Sequence, residues 1–379
     1  MTFLDLPILL LGIALIILVF HDIFQGVVVP RWSSRRWRIA PFLVDKLWKF
    51  WRSQSQKHAD IEAREDFLGA YAPLSLMCLL IVWVVLLIVG YGLCFWALHS
   101  QIEPNPASFF EAVYLGGETL LTIGFGEFAP QGAGARLIAL CAGASGLAVF
   151  ALVISFLFTL YGTFERREVL ILTLDARAGN PPSGVALLQN FAELDLLDDL
   201  PHFFEKWEEW SAQVLQSHIA YPILPFFRSN HEGESWIAAL GAVLDAATLL
   251  ATTVCSGSKC GQKPLGAAHI MFRIGCHTVI DLSHWFGYRR DEDEDADPQP
   301  FVEKMEFLRA RAMLERAGFA LTEQEESWEK FRSARATYAA SLNELSKHFA
   351  APPAQWIGDR SMVSNSPHRR PEKLTPPNK

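Results

Sequence analysis

Residues 108–127 read SFFEAVYLGGETLLTIGFGE, and how this stretch is understood decides the rest of the chain. Ser108 and Glu111 have the spacing of a capping box, in which hydroxyl and carboxylate each take a backbone N–H left unpaired by the first helical turn. The apolar run behind them predicts a short helix ending near Leu121, whose carbonyl end carries partial negative charge and favours a cation beyond it. Thr122-Ile123-Gly124-Phe125-Gly126 comes next. Glycines at alternate positions suit a backbone that alternates in hand, because a residue without Cβ takes positive φ at little cost. Such a backbone points successive carbonyls the same way. Taken alone, the string also fits a glycine turn between strands.

The flanks choose between these readings. Residues 3–29, 68–98 and 136–161 are each apolar and long enough to cross a bilayer. The first has no basic leader or clear small-residue cleavage site, so it reads as an uncleaved anchor. Residues 31–67 carry Arg31, Arg35, Arg36, Arg38, Lys46, Lys49, Arg52, Lys57 and Arg64, whereas residues 99–107 carry no Lys or Arg. The excess of positive charge places 31–67 in the cytoplasm and the N-terminus outside. The glycine stretch then enters the membrane from the outer face, and Arg166 and Arg167 follow the third span on the inside.

With spans on both sides, Thr122–Gly126 resembles the selectivity filter of potassium channels, and residues 75–165 resemble the prokaryotic pore domain of two transmembrane helices flanking one pore loop. The resemblance implies that carbonyls of Thr122, Ile123, Gly124, Phe125 and Gly126 replace the water of a potassium ion, with the Thr122 hydroxyl innermost. It places Glu118 behind the filter and Glu127 at its outer exit, close enough for the two carboxylates to share a proton. It aligns Arg136 with an arginine that opens the inner helix, Gly146 with a hinge glycine and Phe150 with a cavity-lining aromatic. Ile154 and Phe158 continue that face at i+4 spacing toward a cytoplasmic gate. Since one chain offers one filter segment, a homotetramer around the ion path is expected. Departures from the family pattern are Phe125 for tyrosine, Glu127 for aspartate, Leu121 for a second threonine and Leu115 for a tryptophan. They bear on how strict the selectivity is. Permeant potassium is the expected ligand, with no cofactor and no other metal.

The expected fold class is an all-α membrane protein: three transmembrane helices, a re-entrant pore helix and filter, then a helical cytosolic domain. The organisation reads as an N-terminal helix (1–30), a basic cytoplasmic loop (31–67), a pore domain (68–165), a helical cytosolic domain (166–362) and a disordered tail (363–379). In the loop, Val44, Leu47, Trp48 and Trp51 share a helical face flanked by Lys46, Lys49 and Arg52. That pattern suits a helix lying flat on a membrane surface or one packed on the cytosolic domain. His21, Asp22 and Gln25 fall near the cytoplasmic end of the first span, as interfacial groups or helix contacts, or, less simply, as a proton sensor.

In the second half, residues 236–254 are nearly free of charge and long enough to span. However, Asp245 lies at their middle and Trp236, Leu240, Val243, Ala247, Leu250 and Val254 form a seam, so a buried bundle helix is expected. Thr322 and Glu325 read as a capping box before a helix striped by Trp328, Phe331, Tyr338, Leu342, Leu345 and Phe349, and Gly318 ends the helix before it. Arg273, His277, Asp281 and His284 share a face that reads as polar surface rather than a metal site. The acidic run 291–297 reads as a solvated linker. A formal charge of -8 without a dominant basic face excludes a nucleic-acid partner. No dinucleotide fingerprint and no nucleophile–base set is present, so an enzyme is not expected. Rival readings are a weakly selective cation channel, a membrane-anchored enzyme and a non-conducting scaffold.

Overall fold

The computed structural model describes residues 5–28, 39–57, 60–229, 233–255, 262–287 and 301–358. The acidic run 291–297 and the tail after residue 358 lie outside the described residues. Regular structure among those described is helical apart from a short antiparallel pair, β1 (Ile102–Glu103) with β2 (Ala129–Pro130), and isolated bridges at Val254/Leu321 and Ala354/Ile357. The protein is thus all-α, with helices long and apolar enough to cross a membrane. The chain divides into two compact units: residues 1–59, 66–163 and 220–227, and residues 60–65, 164–219 and 228–379.

The first unit begins with α1 (Asp5–Ile23), continued by a π-helical turn, Phe24–Val28. It packs along α4 (Tyr71–Ala97), with Val19 and Ile23 buried beside Trp83 and Leu87 and glycines where the backbones come closest. A methyl added at Gly12 would come within 2.8 Å of the Gly90 carbonyl oxygen. Lipid tails are as apolar as leucine, so helices in a bilayer gain little by burying side chains and much by approaching closely. Asp22, 1% exposed, ties three elements together. Its carboxylate accepts from the Trp83 indole N–H at 2.8 Å and from the backbone N–H groups of Ile39 and Ala40 at 3.0 and 3.2 Å. Those amides open α2 (Ile39–Ser55), so Asp22 serves as its N-terminal acceptor from another helix. Of the readings open for Asp22, the helix contact is the one seen.

The face of α2 carrying Trp48 and Trp51 is covered by protein within this unit. Trp48 meets Tyr71 at a tilt and Phe226 edge-on, with ring centroids 4.8 and 5.0 Å apart, and Trp51 lies parallel to Phe67 at 4.6 Å. Residues 220–227 return to the first unit and also reach α6 (Ala133–Ala178), where Tyr221 meets Phe156 and Phe227 meets Tyr161. The helix that carries the third candidate span extends well beyond residues 136–161. Nothing in Glu165-Arg166-Arg167-Glu168 breaks a helix, and α6 runs on until Gly179, at φ 77°, and Pro181 stop it.

The second unit is built around α9 (Trp236–Thr253), which packs on α7 (Gly184–Glu193), α10 (Gln262–Trp285) and α12 (Gln324–Phe349). Almost all of α9 is buried by these neighbours, so its apolar length serves a protein core. Asp245, at its middle, accepts from Arg335 Nε at 2.9 Å and from the Tyr338 hydroxyl at 2.6 Å. Burial and the Asp245 charge push the Tyr338 hydroxyl well above the ordinary phenol range, so it stays a donor. The striped residues of α12, from Trp328 to Phe349, are all buried. Gly318, φ 93°, follows α11 (Lys304–Arg316) as expected. The cap of α12, however, is Glu323, whose carboxylate accepts from Glu326 N at 2.9 Å. Thr322 instead bonds the Thr253 carbonyl at the end of α9, through its N–H at 2.9 Å. On α10, Arg273, His277 and His284 face solvent, and His277 Nε2 lies 3.4 Å from the Asp281 carboxylate one turn on.

Candidate functional site

The pore-loop helix, α5 (Phe109–Leu120), starts at Ser108, whose hydroxyl accepts from Glu111 N at 3.4 Å. The Glu111 carboxylate bonds Ala107 N at 2.7 Å, one residue before the cap. α5 is wedged against α4 by glycines on both sides: a methyl on Gly116 would lie 2.8 Å from the Ile88 carbonyl oxygen, and one on Gly92 would meet Val113. The β1–β2 pair joins the entry to α5 with the start of α6, and Gln101 reinforces it by accepting from Ala135 N at 3.1 Å. Arg136, in the first turn of α6, donates to the Pro130 carbonyl at 3.2 Å and so holds the chain between filter and inner helix.

At the end of α5 the backbone changes hand at every residue. Thr122, Gly124 and Gly126 have φ of 56°, 70° and 80°, while Ile123 and Phe125 between them do not enter the positive region. The glycines are there for conformation and not for space, because a Cβ at either would meet nothing within 4 Å. Thr122 adopts the same hand despite its branched Cβ, which costs about 1–3 kcal/mol and persists only where the surroundings over-determine it. What determines it is the helix end: Thr122 N bonds the Thr119 carbonyl at 3.2 Å and Ile123 N bonds the Glu118 carbonyl at 2.9 Å.

Glu118 also reaches forward. Its Oε1 accepts from Gly126 N at 2.8 Å, strapping the outer end of the glycine stretch to the supporting helix. The side chain is 6% exposed, and its Oε2 has no hydrogen-bond partner among the described residues. Glu127 is exposed. The hydroxyl of Tyr114, one turn before Glu118 on α5, faces both carboxylates. Tyr114 also stacks parallel to the Phe125 ring at 6.4 Å. Its place beside Phe125 and the two glutamates was not evident from the sequence, although its i−4 spacing from Glu118 is a signal that could have found it. Leu115 is buried and contributes only packing.

α6 completes the site. Gly146 lies where this helix crosses the end of α5, so close that a Cβ would overlap the Leu120 carbonyl oxygen. The helix continues unbroken through Gly146, so close approach is a reason for glycine here alongside the expected hinge. Tyr91 of α4 fixes the same level from behind, bonding Ser145 Oγ at 2.6 Å and the Cys141 carbonyl at 3.2 Å. An apolar cavity of about 380 Å³ opens below, lined by Thr122, Leu121, Gly146, Phe150, Trp83 and Leu87. Phe150, Ile154 and Phe158 lie on α6 with exposures of 67, 39 and 78%, and Ile123 and Phe125 are 50 and 66% exposed. In a single chain, therefore, the glycine stretch and the stripe on α6 that follows it stand uncovered.

Further along, α6 is held within the second unit. The Trp210 indole donates to the Arg167 carbonyl at 3.1 Å, and Arg167 Nη1 lies 3.3 Å from His218 Nε2. His218 is fully buried against Trp236, 4.8 Å away. Burial and the Arg167 charge hold its imidazole well below the ordinary histidine range, so it is neutral and accepts from Arg167.

Among the described residues no group of three or more His, Cys, Asp or Glu is placed to hold a metal ion. The chain is similar to the uncharacterized membrane protein YdjJ of Bacillus subtilis (strain 168), 26% identical over 264 residues covering 69% of this chain and 73% of the relative. No solved structure matches. Residues 78–162, the segment from α4 through α5 and the glycine stretch into α6, match the family model described as "Ion channel", and the match supports a pore-domain channel family.

Proposed function

We propose that the protein is a potassium-selective channel that conducts passively as a homotetramer, with its N-terminus outside and its second unit in the cytoplasm. The observation that carries this reading is the alternating backbone of Thr122–Gly126, strapped by Glu118, at the end of a helix between two spans. A backbone that alternates in hand aims a row of carbonyls to one side, and four such rows around an axis replace the hydration shell of a bare cation. The carbonyl end of α5 adds a favourable potential beneath them. The uncovered Ile123, Phe125 and α6 stripe support the tetramer, since neighbouring copies would cover them.

In this reading Phe150, Ile154 and Phe158 close the path by dewetting it when the four α6 helices converge. The grip of Trp210 and His218 on Arg167 gives the cytoplasmic unit its hold on that helix. A weakly selective cation channel is favoured by one observation. Phe125 rests on Tyr114 by ring stacking alone, with no hydroxyl to fix the filter's width.

Purified full-length protein in liposomes, with a potassium gradient and a sodium gradient run in parallel, tests the proposal. Potassium flux should exceed sodium flux by tenfold or more, and Gly124→Ala should abolish it because alanine resists the φ of 70°. Equal fluxes would leave the weakly selective channel, and no flux of either ion would refute conduction.

A further inference from the structure

Docking of Trp48 and Trp51 against protein leaves the opposite face of α2 exposed among the described residues. Phe42, Lys46, Lys49 and Ser53 run along that face at i, i+4, i+7 and i+11 spacing, with Asp45 and Phe50 at its margins, and all are exposed. Phe42 and Phe50 are 65 and 59% exposed, and the Lys46 ammonium sits over the Phe42 ring at 5.7 Å. Asp22, near the end of α1, accepts from the first amides of α2, and the Tyr71 hydroxyl at the start of α4 donates to the Val44 carbonyl, so the helix lies where two membrane-length helices end. We infer that this outer face of α2 docks on the anionic headgroups of the bilayer's cytoplasmic leaflet.

The chemistry matches that occupant. Phenylalanines flanking lysines are the side chains of a helix lying in an interface, with rings at the headgroup–acyl boundary and ammonium groups on phosphate. The one acid on the face, Asp45, sits at its edge. Arg31, Arg35, Arg36 and Arg38 precede the helix in sequence and add charge of the same sign. A second protein partner with a matching acidic groove would need the helix clear of the membrane, against the bonds from its first amides to Asp22 of α1. The inner face gives docking a consequence. Trp48 touches Phe226, and the next residue, Phe227, touches Tyr161 of α6, one turn from Phe158.

The full chain in a neutral detergent is titrated with short-chain phosphatidylglycerol, short-chain phosphatidylcholine or inorganic phosphate, and thermal unfolding is followed. A ligand of the folded state raises the melting temperature by mass action. Phosphatidylglycerol should raise it, and the other two should not. Lys46→Glu combined with Lys49→Glu should cut the rise at least twofold, and so should Phe42→Ser with Phe50→Ser. These side chains are exposed, so both variants should fold with the parent's melting temperature before lipid is added. An equal lipid-dependent rise in parent and variants overturns the inference. So does a rise reproduced by phosphate, which would mean a free-anion site, or by phosphatidylcholine. A change of oligomeric mass in the variants with the lipid effect intact would assign the face to a second copy and also overturn it.

Discussion

Where α6 crosses α5, Gly146 lets one backbone rest against another, and where α9 crosses α12, Asp245 and Arg335 meet as buried charges. Both are crossings of two helices in a tight interior, yet they are stabilised by different means. In the first unit the surrounding solvent is hydrocarbon, so a large side chain gains little by being buried and the helices are drawn together by contact. Gly12, Gly92, Gly116 and Gly146 each mark such a crossing. In the second unit, burying aromatic rings removes them from water, and that term is large enough to carry the cost of a charged pair. The pair then fixes which face of α12 meets α9. One unit is sensitive to an added methyl, and the other to a missing partner.

Removing the carboxylate at the bundle's centre is the strongest test. Asp245→Ala should destabilise the second unit by about 3–5 kcal/mol, because it leaves the Arg335 guanidinium buried without its carboxylate. Replacing both, Asp245→Leu with Arg335→Met, should recover most of that loss. Thermal melts of the purified chain read both outcomes. If the double variant is as unstable as the single one, the pair is not what sets the register of α12 on α9.

Adding a methyl in the membrane unit is the counterpart. Gly146→Ala should push α6 off α5, with an overpacking cost of about 1–3 kcal/mol and a matching loss of ion flux. Gly117→Ala should be far milder, since the atoms nearest its new methyl, on Ile88, lie at an ordinary contact distance of 3.6 Å or more. Parental flux from Gly146→Ala would mean the helices part there without consequence.

Smaller still is the effect of the strap. Glu118→Gln keeps the size of the side chain and an acceptor for Gly126 N but replaces a charge-assisted bond with a weaker neutral one, so the outer filter should loosen. Flux should decay faster during sustained opening, while the preference for potassium over sodium stays within about twofold of the parent (roughly 0.4 kcal/mol). Stopped-flow flux over minutes at several external pH values reads this. Identical decay in parent and variant would mean that the strap does not govern the filter.

The two units also differed in how far their sequences could be read. The alternation of Gly124 and Gly126, the helix end near Leu121 and the stripe on α12 follow from residue type and spacing. Thr122 at positive φ does not, because a branched residue argues against that backbone and only the closing turn of α5 imposes it. The length of α6 was hidden by Arg166 and Arg167, which mark the end of a span without marking the end of a helix. At α12, Thr322 has the composition of a cap but is taken by the Thr253 carbonyl, and Glu323 replaces it. The return of residues 220–227 to the first unit has no local signature, since Phe226 and Phe227 find their partners more than a hundred and fifty residues and about sixty residues away along the chain. The pattern on α2 was visible, but which face met protein was settled by Tyr71 and Phe226, not by its own sequence.

His218 gives the smallest effect and the sharpest sign. Its imidazole is neutral in the folded protein because burial, and then Arg167, hold its affinity for protons well below that of a free histidine. Above the ordinary histidine value both folded and unfolded chains carry it neutral, so it contributes nothing to the pH dependence there. Below that value, about pH 6.5, the unfolded chain takes up a proton that the folded chain refuses. Stability must then rise with pH through the window between the depressed folded value and about 6.5, and fall as the solution is made more acid. Glutamine at this position can still accept from Arg167 through its amide oxygen and does not titrate. The melting temperature of His218→Gln should therefore lie somewhat below the parent's at pH 8, where the ring's packing on Trp236 is lost, and the gap should close as pH drops below 6. Parallel melting curves for the two proteins from pH 8 to pH 5 would mean that the buried imidazole takes up its proton in place, and that the contact with Arg167 is not the one holding it neutral.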